Sequence, residues 1–144
     1  MAPTSGREAI VELSSVVSDV MDVIQDVKQA LRKVPQNDAL HAELDRVFAD
    51  LRSWAQLLIE EDEELGASLA DVTSVAGRRP PNLFPGPVTD EDVRRTVSEH
   101  LDRVAQHLSV ASAELGDEGL PGPHDLLARI GGELDADVRS IKEQ

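Results

Sequence analysis

Residues 40–69 read LHAELDRVFADLRSWAQLLIEEDEELGASL, and the periodicity of this stretch decides the fold. Leu40, Leu44, Val47, Leu51, Trp54, Leu58 and Leu65 recur at steps of three and four, apart from the last gap. Such steps draw one apolar stripe along an α-helix. At 100° per residue His41, Asp45 and Glu60 fall together on a flank well away from the stripe's centre. One imidazole and two carboxylates therefore share a flank that can face a neighbouring chain.

The same pattern recurs on both sides of this stretch. Ile10, Leu13, Val17, Val20, Ile24, Val27 and Leu31 alternate steps of three and four, predicting a helix opened by a capping box at Ser5–Glu8 and ended by Pro35. Its many valines are poor helix formers, so packing must hold it more than propensity does. Asn37 or Asp38 is placed to cap the helix that contains His41. Gly66 interrupts that helix, and a short helical turn is expected from Ser68 to Val75, closed by Gly77. The segment GRRPPNLFPGP at 77–87, with four prolines, demands an irregular crossing. Thr89-Asp-Glu-Asp92 then opens a third helix with the seam Val93, Val97, Leu101, Val104, Leu108, Ala111, Leu115, and Gly116 is expected to stop it. Asp125 is expected to cap a fourth helix lined by Leu127, Ile130, Leu134, Val138 and Ile141. Nothing in the chain signals a strand.

The predicted fold is all-α: one domain over 1–144, with residues 1–5 as a short N-terminal arm. It is a four-helix bundle with a short helix in the long crossover between the second and third helices. One long crossover in an up-down-down-up bundle is the ferritin-like arrangement.

Composition narrows the function. The 144 residues carry 14 basic and 28 acidic side chains, a net charge of −14, which argues against a surface that neutralises phosphates. There is no cysteine, so disulfides and thiolate metal sites are excluded. Phe48, Trp54 and Phe84 are the only aromatic residues, so the core is aliphatic. No apolar run is long enough to span a membrane, and MAPTSGREAI has no secretory h-region, so the cytoplasm is the expected location.

LHAELDRVFADLRSWAQLLIEEDEELGASL resembles the second helix of Dps proteins, the ferritin-like DNA-protection proteins of starved cells. The tail ASAELGDEGLPGPHDLLARIGGELDADVRSIKE, at 111–143, is similar to the end of the same family. In that family a His and an Asp four residues apart bind iron, with a further acid near the helix end. The matching positions are His41, Asp45 and Glu60. Two other family ligands are replaced here. A His is expected twelve residues before His41, where this chain has Gln29, and an Asp eleven residues after Asp45, where it has Gln56. An amide oxygen is a poorer ligand for iron than an imidazole or a carboxylate.

The resemblance implies a homo-oligomeric cage of twelve chains that sequesters iron and protects against oxidative stress. Each iron site would be split across a two-fold interface, and acid-lined three-fold pores would lie near Asp125. It also implies a ferroxidase weakened or lost through Gln29 and Gln56. Direct DNA binding is not expected, because the first ten residues hold one Arg, Arg7, and no Lys. The competing reading is a helical protein that assembles with itself or binds a partner without metal. On spacing alone His41, Asp45 and Glu60 read as a solvated flank. The acids Glu60–Glu64 read as a solvated helix end, His100 and His107 as surface residues, and Trp54 as core.

Overall fold

The computed structural model describes residues 6–66 and 82–143. Helix α1 spans Gly6–Lys33, α2 Ala39–Glu64, α3 Asp90–Asp117 and α4 Pro121–Lys142. The expected short helix at 68–75, the Ser5 cap and the N-terminal arm fall outside the described residues. No strand occurs among the described residues.

Short links join α1 to α2 and α3 to α4, so each pair forms an antiparallel hairpin. Side-chain pairs show how the hairpins dock. Asp26 meets His100 and Asp19 meets His107, so α1 and α3 run antiparallel. Arg46 meets Asp137 and Trp54 meets Glu133, so α2 and α4 do as well. The bundle therefore closes in the order α1–α2–α4–α3, with α2 and α3 parallel on a diagonal. A chain leaving α2 must return the full length of the bundle before α3 begins. Among the described residues, 82–89 form the end of that return.

The predicted seams are the core. Leu13, Val17, Val20, Ile24 and Val27 are buried in α1, and so is every seam residue of α2 from Leu40 to Leu58. The α3 and α4 seams are buried throughout. Only the end positions Ile10, Leu31 and Leu65 are partly open. Thr89 caps α3 as expected: its hydroxyl accepts from the Asp92 N–H while the Asp92 carboxylate accepts from the Thr89 N–H. Both orphan donors are satisfied reciprocally, and three acids lie in the positive first turn. At α2 the expected cap residue, Asp38, stands at the N-cap position but makes no side-chain cap bond.

Three expectations need correction. Gly116 does not stop α3, which runs to Asp117. The turn comes at Gly119, whose φ of +79° suits a residue without a side chain, and the Leu120 N–H reaches back to the Leu115 carbonyl. Gly116 instead lets the His124 ring lie against α3; a Cβ there would stand 2.9 Å from His124 Nδ1. Asp125 does not cap α4. The helix starts at Pro121, because a proline at the first helical position lacks an N–H that would be orphaned anyway and has a suitable φ. His124 is accordingly a helix residue. Finally, Glu60–Glu64 is not uniformly solvated: Asp62 is fully buried and accepts from the Ser14 hydroxyl at 2.6 Å.

Candidate functional site

His41, Asp45 and Glu60 all lie on α2. His41 is half-buried, and Asp45 and Glu60 are exposed. His41 and Asp45 are one turn apart and close enough to act together. Glu60 is fifteen residues beyond Asp45, which at the helical rise is roughly 22 Å. One chain therefore cannot bring all three to one ion. Among the described residues no group of three or more His, Asp or Glu side chains is arranged to hold a metal within the chain.

The same flank carries more than these three residues. At 100° per residue Phe48, Arg52, Gln56 and Ile59 fall on it too. Phe48 and Ile59 are half-buried, and the Arg52 guanidinium lies 5.8 Å from the centre of the Phe48 ring. A face with two half-open apolar side chains and a stacked guanidinium suits contact with another chain.

Both glutamines have structural partners. The Gln29 side-chain oxygen accepts from the backbone N–H of Leu83 at 2.9 Å, tying the end of the crossover to α1. Gln56 Nε2 donates to Glu60 Oε1 at 3.0 Å. A carboxylate at position 56 would repel Glu60 one turn away; the amide instead orients it.

Asp125 is exposed on the second turn of α4. His124 is fixed from both sides of the α3–α4 hairpin. Its Nδ1 lies 2.7 Å from the Ser112 carbonyl, and the Ser112 hydroxyl donates to the His124 carbonyl at 2.9 Å.

Two polar clusters escaped the sequence reading. His100 and His107 are not simply surface residues. They are half-buried and bridge α3 to α1, His100 through Asp26 at 2.7 Å and His107 through Asp19, with Glu12 on its other nitrogen at 3.7 Å. Burial and the nearby Glu114 raise the pKa of Glu12. The second cluster lies between α2 and α4. Arg46 bonds Asp137 at 2.8 Å, approaches Asp50 at 3.5 Å and pairs with Glu43. Asp137 is 4% exposed. Burial, and then the Asp50 carboxyl beside it, push its pKa up to about 6 against the opposing pull of Arg46. The signal was present in the sequence: Glu43, Arg46 and Asp50 are spaced three and four apart, and Asp137 sits beside the Leu134–Val138–Ile141 stripe. Trp54 is core, 5% exposed, and its indole N–H donates to Glu133 at 2.9 Å.

A closed ring of four antiparallel neighbours with one full-length crossover defines the class as a ferritin-like four-helix bundle. Within that class the fold is that of Dps. The chain superposes on Dps from Microbacterium arborescens in the high iron form with a TM-score of 0.82 and 22% identity, over 97% of this chain and 93% of that one. The Dps-like fold expected from the sequence is thus borne out. No family model and no curated protein matches the chain. No described helix is long and apolar enough to cross a membrane.

Proposed function

We propose that this protein is the subunit of a Dps-like cage that takes up iron, with the ferroxidase step weakened or lost. The observation that carries the reading is the placement of His41, Asp45 and Glu60 on one outward flank of α2 within a Dps-like fold. The flank is self-complementary. The midpoint between Asp45 and Glu60 falls at Arg52–Ser53. A second copy packed antiparallel about a two-fold axis near Arg52 would bring its own Glu60 to His41 and Asp45 of the first. The apolar contact of such a pair would come from Phe48 and Ile59. Two equivalent sites result, each a His and two carboxylates, a hard donor set that suits Fe(II) as substrate.

Support for the iron reading comes from the relative of matching fold, whose structure is of its high iron form. At a net charge of −14 the chain draws cations toward it. Twelve chains around a cavity, acid-lined pores near Asp125, a role in stress protection and a cytoplasmic location complete the proposal. DNA binding is no part of it.

Gln29 and Gln56 weaken the site. Each supplies a neutral amide where an imidazole or carboxylate would hold Fe(II), and each is already engaged, one by Leu83 and one by Glu60. Stopped-flow oxidation of Fe(II) by peroxide on the purified assembly tests this. We expect weak saturable Fe(II) binding that His41→Ala abolishes, with oxidation little faster than in buffer. Oxidation at rates typical of an intact ferroxidase would overturn the weakened-site reading. If Fe(II) binding does not saturate, or His41→Ala leaves it unchanged, iron uptake at this flank is overturned. A second reading, a cage or helical assembly with no metal role, is favoured by the same hydrogen bonds, because they give both glutamines a structural task.

A further inference from the structure

The α3–α4 interface holds a cleft of about 290 Å³. Arg94, Ser98 and Asp102 line it from α3 at successive turns, joined by Arg95 and Glu91, and Lys142 closes it from α4. Two hydrogen-bonding atoms at its wall are out of reach of solvent and find no partner among the described residues: the Ser98 hydroxyl and the Arg94 Nε–H. Ser98 is only 3% exposed. Buried polar atoms are nearly always paired, so two orphans four residues apart on one helical face mark a place where a partner is missing. Both orphans can donate, so the missing partner is an acceptor.

We propose that this cleft binds a small oxyanion, a phosphate or carboxylate group. The ligand's oxygens take the Arg94 Nε edge and the Ser98 hydroxyl, with Arg95 and Lys142 at the rim. Glu91 engages Arg94 through Nη1 and leaves the Nε edge for a ligand. That edge of a guanidinium presents donors in a fixed fork, which matches planar or tetrahedral oxyanions better than an ammonium does. Entry requires the rim pairs to part. Lys142–Asp102 spans 3.2 Å with both partners about half exposed, and Arg95–Asp92 spans 3.3 Å. Exposed pairs of this kind hold weakly and open readily. Glu99 also lines the cleft, so Arg94, Arg95 and Lys142 balance Glu91, Glu99 and Asp102 in charge; the cleft is a neutral spot on a strongly acidic chain and does not repel an anion as the surrounding surface does.

The test is isothermal titration of the assembled protein with sodium phosphate and, separately, sodium acetate, each against sodium chloride at equal ionic strength. The expected result is heat that saturates at one oxyanion per chain. Saturation with phosphate assigns the cleft to phosphate groups, and saturation with acetate alone assigns it to carboxylates. Ser98→Ala removes only a hydroxyl and leaves a better helix former, so it folds; it should weaken binding about fivefold. Arg94→Lys keeps the charge but loses the Nε–H and should weaken binding about tenfold. Absence of saturable heat with both anions overturns the proposal. So does binding by Ser98→Ala and Arg94→Lys that matches the unsubstituted protein.

Discussion

Arg46→Ala is expected to cost about 2–3 kcal/mol of stability near pH 7.5, at the low end for breaking a buried pair because Arg46 itself is half exposed. The loss comes from what is left behind. Asp137 would remain buried beside Asp50, with Glu43 close by and no cation among them. The pH dependence identifies the cause. The folded-state pKa of Asp137 is raised to about 6, so the folded state holds its proton more tightly than the unfolded chain does. This proton's contribution to stability is fully present below the ordinary carboxylate value of 3.8 and is lost as pH rises through about 6. Asp137→Asn removes the titration and keeps an oxygen for Arg46. It should stabilise the protein by on the order of 2 kcal/mol near pH 7.5 and change little near pH 4. In the Arg46→Ala background the same change should recover most of the loss, as coupled neighbours do. Denaturant unfolding of the four proteins at the two pH values measures all of this. Equal effects of Asp137→Asn at both pH values would show that Asp137 is not the titrating group.

Gln29→His combined with Gln56→Asp is expected to raise the rate of peroxide-driven Fe(II) oxidation by about 100-fold, because it returns an imidazole and a carboxylate to the site. The gain should come at a cost in stability. Gln29→His takes the acceptor from the Leu83 N–H and should lose about 1 kcal/mol. Gln56→Asp replaces a hydrogen bond to Glu60 with a like-charge pair one turn apart, worth a few tenths of a kcal/mol more. Activity up and melting temperature down in one protein is a signature that a purely structural role for the glutamines does not produce. Faster oxidation that survives an added His41→Ala would place the chemistry elsewhere.

The fold was legible because seams at steps of three and four are a direct print of helical burial, and nearly every seam residue from Leu13 to Ile141 is in the core. Of the proline-rich segment, Pro85 and Pro87 fall among the described residues, and 82–89 form neither helix nor strand. Helix ends were less legible. Gly116 and Asp125 each resemble a terminator and a cap, yet Gly116 serves close approach of His124, and Pro121 starts α4 before Asp125 is reached. Local chemistry cannot distinguish a glycine that turns the chain from one that admits a neighbouring ring. Polar partners across the bundle were least legible. Asp62 in a run of acids, Asp137 beside an apolar stripe and His100 on a polar flank acquire partners only when the hairpins dock. The candidate site was legible as a flank but not as a centre, since Asp45 and Glu60 are too far apart on one helix to meet without a second chain.

Assembly is therefore the property on which the functional reading rests. The first measurement is the solution mass of the purified protein by light scattering after size exclusion. Twelve chains of 15.6 kDa give about 187 kDa, and a single peak at that mass is the predicted result. A monomer near the mass of one chain would contradict the cage and the shared site together, and would leave a four-helix protein whose α2 flank faces solvent.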